Sequence, residues 1–440
     1  MSSAITPSAS VEAATMRKVA FRLIPFLVLC YFIAYVDRVN VGFAALTMNK
    51  DLGLSTAAFG FGGGLFFVAY VLFEVPSNLA MEKVGARLWI ARIMITWGLV
   101  GFASAFVTGA ISFSVARFFL GAAEAGFFPG VILYLTYWFP KAYRARIVAM
   151  FMVAIPLSSF FGSPISAALL TLDGVGGLHG WQWLLIMEAI PAVMLGIAAL
   201  VMLPSRPAEA KFLTLAEKQW LENRMETERG IAMAEHGSGH GSIWSVLTNK
   251  QVWLLAVVYM GSSATSNALS LWMPQILKGF GLSNFETGLV NMIPFGLASA
   301  FMIFWGLRAD KTGERIWSTA IPLAVTSICF ALTLLTGSLT VTLVLLSLVL
   351  MGNYAIKGPF FALATETLSP AAAAAGIAAI NTLAHLGTGA VTSLIGILKQ
   401  QTGSFPVSLL PLCALTGIGA LVVLWMGRRQ QPAMVPSPAE

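Results

Sequence analysis

The sequence predicts an all-α integral membrane protein in which twelve transmembrane helices form two six-helix bundles. Three observations predict it. The 440 residues are 58% hydrophobic and only 10% charged, too little polar surface to cover a soluble globule. Apolar runs of about 20 or more residues, the length a helix needs to cross hydrocarbon, recur from near Phe21 to near Trp425. The second half of the chain repeats the punctuation of the first at an almost constant offset.

The expected spans are 20–47, 57–80, 87–108, 111–138, 145–171 and 183–203, then 251–277, 286–307, 316–337, 340–367, 371–398 and 405–427. Arg17, Lys18 and Arg22 lead into the first span with no small-residue cleavage site, so a retained helix is expected rather than a signal peptide. This divides the chain into 1–203, a bundle with a short tail; 204–250, a linker; 251–427, a second bundle; and 428–440, a tail. Within the linker, Thr214 and Glu217 have capping-box spacing, and Lys218, Glu222, Arg224 and Glu226 dress a short amphipathic helix.

Of the 26 Lys and Arg, only Lys50, Lys278 and Lys399 fall on one side of this arrangement, and Arg38, Arg117 and Lys357 fall within spans. The rest share the other side, which the positive-inside rule makes cytoplasmic, with both termini. A multi-pass protein of the inner (cytoplasmic) membrane is expected. The +7 net charge is therefore accounted for by topology, and no nucleic-acid partner is implied. Cys30, Cys329 and Cys413 lie in apolar spans without metal-ligand spacing, so they are expected to pack helices. No phosphate-cradling Gly-rich motif, zinc-hydrolase His motif or serine elbow occurs, so neither an ATP-driven pump nor an enzyme is expected, and no cofactor.

The repeat is specific. Glu82-Lys83-Val84-Gly85-Ala86-Arg87 follows the second span and Asp310-Lys311-Thr312-Gly313-Glu314-Arg315 the eighth, at an offset of 228; Pro129 and Pro359, like Pro140 and Pro370, are 230 apart. A duplicated bundle follows, an architecture that places a substrate site between its halves near mid-membrane. The loop motif sets an acid, a base, a turn-permitting Gly and a second base where helix ends meet, which suits a latch that parts during a conformational change. A tight basic turn is the plainer alternative.

An ionisable group in hydrocarbon costs roughly 2.5–3.5 kcal/mol on insertion scales, so each one needs a reason. Asp37, Arg38, Glu74, Arg117, Glu124, Glu188, Lys357 and Glu366 are such groups. Asp37 and Arg38 are adjacent and point about 100° apart, so each is expected to find its own partner. Arg38 suits a substrate carboxylate and Asp37 a proton; a structural ion pair to a neighbouring helix is the alternative. Arg117 and Glu124, seven apart, share a face with Gly121 between them, and Arg117 is expected, with Arg38, to bind the substrate anion. Glu124 is expected to couple proton to anion, with a purely architectural salt bridge to Arg117 as the alternative. Lys357, just before Gly358-Pro359, is expected either to meet a substrate anion or to neutralise Glu366. His385 faces either a cavity or a neighbouring helix. Tyr70, Asn267, Trp272 and Asn381 are candidate cavity groups, and Glu74 a candidate gate.

Both loop copies resemble the signature loop of the major facilitator superfamily. Tyr35-Val36-Asp37-Arg38-Val39-Asn40-Val41-Gly42, Phe73-Glu74-Val75-Pro76-Ser77-Asn78, Glu124-Ala125-Gly126-Phe127-Phe128-Pro129-Gly130, Gly180-Trp181-Gln182-Trp183, Gly358-Pro359-Phe360 and Gly376-Ile377-Ala378-Ala379-Ile380-Asn381 resemble its anion:cation symporter branch of phthalate, tartrate, hydroxyphenylacetate and sugar-acid permeases. The resemblance implies a major facilitator fold and import of a small carboxylate with protons; a monomer in the lipid bilayer is expected. It implies protonation at Asp37 and Glu124 and carboxylate binding by Arg38. Ala384-His385-Leu386-Gly387 departs from the branch, which has Gly-Asn-Leu-Gly there. A proton-driven exporter of drugs or metabolites on the same fold is the alternative.

Overall fold

The computed structural model describes residues 9–236, 248–368 and 370–430, and every regular element among them is helical. The helices are α1 (Ala9–Asp51), α2 (Thr56–Val84), α3 (Ala86–Ala103), α4 (Ala110–Glu124), α5 (Phe127–Trp138), α6 (Lys141–Leu169), α7 (Gly180–Met202) and α8 (Leu215–His236). They continue with α9 (Lys250–Lys278), α10 (Asn284–Thr312), α11 (Arg315–Leu332), α12 (Leu339–Ala355), α13 (Lys357–Thr367), α14 (Pro370–Thr402), α15 (Phe405–Ser408) and α16 (Leu410–Gln430). Twelve stretches are long and apolar enough to span a bilayer, α4 with α5 and α12 with α13 each making one crossing. Large apolar side chains such as Phe21, Ile111, Val201 and Leu335 are exposed along them, as lipid-facing surfaces require.

Contacts divide the chain into two compact units. One holds α1, α2 from Leu65 onward and α3–α8; the other holds Ser55–Gly64 and α9–α16. The same pairing recurs inside each. In the first unit α1 packs along α6 and α7, and α3 along α7. In the second, α9 packs along α14 and α16, and α11 along α16. A sequence repeat thus becomes a packing repeat, because equivalent faces are apolar at equivalent positions. The opening turns of α2 are held in the second unit, where the Ala57 amide donates to Gln400 Oε1 at 3.1 Å and Phe59 meets Trp272 edge-on at 5.2 Å.

α8 bears out the capping box in the linker: the Thr214 amide donates to Glu217 Oε2 at 2.9 Å and the Glu217 amide to Thr214 Oγ1 at 3.3 Å. Lys18 Nζ reaches across from α1 to Glu217 at 2.7 Å. Burial alone would push the Glu217 carboxyl up, but the bonds from Lys18 and Thr214 outweigh it and hold it below its ordinary value. Arg144 and Arg224 both meet Glu228, so α8 is strapped along the first unit.

Candidate functional site

Two helix breaks position the charged groups. The crossing expected over 111–138 is interrupted after Glu124, where Ala125 turns to ψ 132° and Gly126 takes φ 84°. Only glycine fits there, since a Cβ on Gly126 would lie 2.5 Å from Ser77 Oγ. The crossing expected over 340–367 breaks at Ile356, directly before Lys357. The first break sets Glu124 beside a short non-helical step, the kind of irregular backbone that membrane proteins keep for interior sites; at the second, Ile356 keeps helical dihedrals, φ −73° and ψ −17°.

In the first unit Asp37 and Arg38 find separate partners, as their helical offset requires. Arg38 closes on Glu124, with Nε donating to Oε1 at 2.7 Å and the guanidinium tip contacting the same oxygen. Its guanidinium lies over the rings of Tyr35, Phe66 and Tyr70, at 4.7, 5.6 and 5.6 Å. The architectural alternative for Glu124, a salt bridge to Arg117, is not what forms. Arg117 is buried over Phe66 at 4.8 Å; its Nε lacks a hydrogen-bond partner, and no carboxylate among the described residues is within ion-pairing distance. Asp37 accepts from Trp97 Nε1 at 2.6 Å and Asn40 Nδ2 at 3.5 Å. Asp37, Asn40, Trp97 and Arg117 line one cavity inside this unit, together with Phe113 and Leu120. Glu188, on α7, accepts from Ser166 Oγ at 2.7 Å.

Gly121 has the spacing role expected of it. A Cβ there would sit 2.1 Å from the Phe66 carbonyl oxygen, so α2 approaches α4 backbone to side-chain-free backbone. Gly121→Ala is expected to cost on the order of 1–3 kcal/mol by overpacking and to lower the melting temperature in detergent by several degrees. An unchanged melting temperature would contradict this packing.

In the second unit Lys357 is buried, with the rings of Tyr259 and Tyr354 each 5.6 Å from Nζ. It is the one formally charged buried side chain there among the described residues. It does not neutralise Glu366, which instead meets Arg315 at 3.2 Å. Arg315 also bonds Asp310 at 3.2 Å, after the turn at Gly313 with φ 67°. This loop copy therefore clamps α10, α11 and α13 within one unit. In the other copy Gly85 has φ 97°, Glu82 and Lys83 are exposed and Arg87 half-buried, and none of these three forms an ion pair among the described residues.

The remaining candidates separate. Tyr70 joins Arg38, and Glu74 lies half-buried one turn beyond it on α2. His385 and Asn381 are half-buried, one turn apart on α14. Asn267 Nδ2 donates back to Ser263 O at 2.8 Å, so its amide is engaged by its own helix. Trp272 is wholly buried between Phe59 and Phe405, and its Nε1 has no hydrogen-bond partner among the described residues. Sequence reasoning missed Tyr35, Phe66, Trp97, Asn40, Tyr259 and Tyr354. In a chain with 30 Phe and 12 Trp, aromatic residues in spans carry no signal of their own.

The sequence profile described as the Major Facilitator Superfamily matches residues 27–392. An Agrobacterium vitis protein provisionally named a tartrate transporter is 48% identical over 427 residues, covering 96% of this chain and 93% of its own length. A quinolone resistance transporter of Acinetobacter baumannii is 38% identical, with 90% of this chain and 91% of the relative covered. Among solved structures, a D-xylose-proton symporter superposes with a TM-score of 0.73 at 14% identity, over 92% of this chain and 97% of that one, which is a likeness of fold.

Proposed function

This chain belongs to the Major Facilitator Superfamily, and on that premise we propose that it is a secondary active transporter importing a small organic carboxylate with protons by alternating access, in the cytoplasmic membrane with both termini inside. Lys357 carries the reading: a buried ammonium with two tyrosine rings and no carboxylate in ion-pairing distance among the described residues is the charge state that an anion completes. The relative named for tartrate, a dicarboxylate, supports the same substrate class. His385 and Asn381, on α14, are further candidates for substrate contact.

Arg38 and Glu124 supply the coupling. While Glu124 is ionised it occupies Arg38. A proton on Glu124 neutralises it and frees the guanidinium fork for the substrate carboxylate, so anion and proton arrive together. The loaded group is then close to neutral for its passage through the membrane.

The quinolone resistance relative favours a second reading, proton-driven export of a drug or metabolite. Uptake into proteoliposomes under an inward proton gradient separates the two. Accumulation of a carboxylate from a panel of sugar acids, aromatic acids and dicarboxylates is expected. No uptake across that panel, or uptake indifferent to the gradient, would overturn the symport reading.

A further inference from the structure

A basic cleft lies near the start of α1, about 24 Å along the helix from Arg38. Arg17, Lys18, Phe21 and Arg22 fall within about 140° of one face of α1. With Phe212 of the linker they line a cleft of about 340 Å³ in the first unit. Phe212 is fixed there by stacking on the buried Trp138 at 6.2 Å. Lys18 is committed to Glu217, but Arg17 and Arg22 are exposed and form no ion pair among the described residues. Glu12, the acid that precedes them on α1, is engaged by the Tyr143 hydroxyl at 3.2 Å. Phe21, between the two arginines, is 85% exposed.

The bilayer decides what can sit in such a cleft. Arg22 and Lys50 flank the first crossing, and only Asp37 and Arg38 are charged between them. Their separation is about 42 Å of helix, which matches the roughly 40–45 Å of a bilayer with its headgroups. Arg22 therefore stands at headgroup depth, with Phe21 beside it at the edge of the acyl chains. We propose that the cleft binds an anionic phospholipid, its phosphate held by Arg17 and Arg22 and its glycerol and upper acyl carbons lying against Phe21 and Phe212. A solvated anion has nothing to place on an exposed ring between two guanidinium groups, whereas an amphiphile covers ring and charge together. The lipid bridges α1 to the linker beside the Lys18–Glu217 bond, and so helps to hold α8 against the first unit. The inference needs only the membrane, and stands apart from carboxylate transport and proton coupling.

The test uses the full-length protein in a neutral detergent, titrated separately with phosphatidylglycerol, phosphatidylcholine and inorganic phosphate. Native mass spectrometry counts the retained lipid, and a thermal ramp reads stability. Phosphatidylglycerol is expected to stay bound and to raise the melting temperature by several degrees, and the other two to do neither. Arg17→Gln with Arg22→Gln should weaken phosphatidylglycerol binding about 30-fold, at roughly fivefold per guanidinium, and Phe21→Ser should weaken it as well. These side chains are exposed, so the lipid-free melting temperature should not move. Arg17→Lys with Arg22→Lys should restore part of the binding, and Lys278→Gln in the second unit should leave it unchanged. Equal retention of phosphatidylcholine, or unchanged phosphatidylglycerol affinity in the Gln pair, would overturn the proposal. A melting shift from inorganic phosphate alone that the Gln pair abolishes would make the cleft a free-anion site and overturn it as a lipid site.

Discussion

Arg38→Ala is expected to abolish measurable carboxylate binding, and Glu124→Gln to leave binding intact while uncoupling it from protons. These opposite outcomes follow from one contact. Arg38 donates to Glu124 at 2.7 Å with three aromatic rings around the guanidinium. Truncating one member of a buried charged pair typically costs about 2–5 kcal/mol, so affinity should fall by at least about 30-fold. Arg38→Lys keeps the charge but not the fork and should recover only part of it. In Glu124→Gln the amide keeps the shape of the carboxyl and loses its charge, so Arg38 is available at every pH. Counterflow of labelled substrate should persist, and the pH dependence of binding should disappear. Accumulation on a proton gradient should be lost. A Gln variant that still accumulates substrate would move the coupling to Asp37, and an Ala variant that still binds would remove Arg38 from the substrate site.

Lys357→Met should move stability and affinity in opposite directions. The ammonium is buried against Tyr259 and Tyr354, with no carboxylate in ion-pairing distance among the described residues. Replacing an uncompensated buried charge with an apolar side chain of similar volume removes its desolvation cost, and related replacements stabilise by about 1–4 kcal/mol. The melting temperature in detergent should therefore rise. Substrate affinity should fall, since a hydrogen bond to a charged group contributes about 1.5–3 kcal/mol, roughly 10- to 150-fold. Isothermal titration and a thermal ramp on the same preparation measure both. A variant that loses stability with unchanged affinity would make Lys357 a structural group and leave the anion reading without its main support.

The charged residues of the site were legible in the sequence because hydrocarbon makes each one costly, so an Arg or Glu inside an apolar run stands out against its surroundings. Asp37, Arg38, Arg117, Glu124 and Lys357 were all found that way. The helix breaks had local signals too, Gly126 before Pro129 and Gly358-Pro359 after Lys357. Partners were not legible. Helical spacing puts Arg117 and Glu124 on one face, yet Glu124 binds Arg38 from another helix, 86 residues away. The α4 break explains the difference, because it ends the helix at Glu124. Glu366 similarly meets Arg315 rather than Lys357, and the neighbours of Trp272, Phe59 and Phe405, lie far from it in sequence.

The sequence by itself determined the number of crossings, the duplication and most of the buried charges, Glu366 being exposed instead, since these depend on hydropathy, on period and on the cost of ions in lipid, all local properties of the chain. Tertiary structure alone decided which charge neutralises which. It paired Arg38 with Glu124, set Asn40 and Trp97 on Asp37, and left Arg117 and Lys357 without a carboxylate among the described residues. The physical reason is range: an ion pair forms within about 4 Å, and residues of separate helices reach that distance only through the packing of the whole bundle.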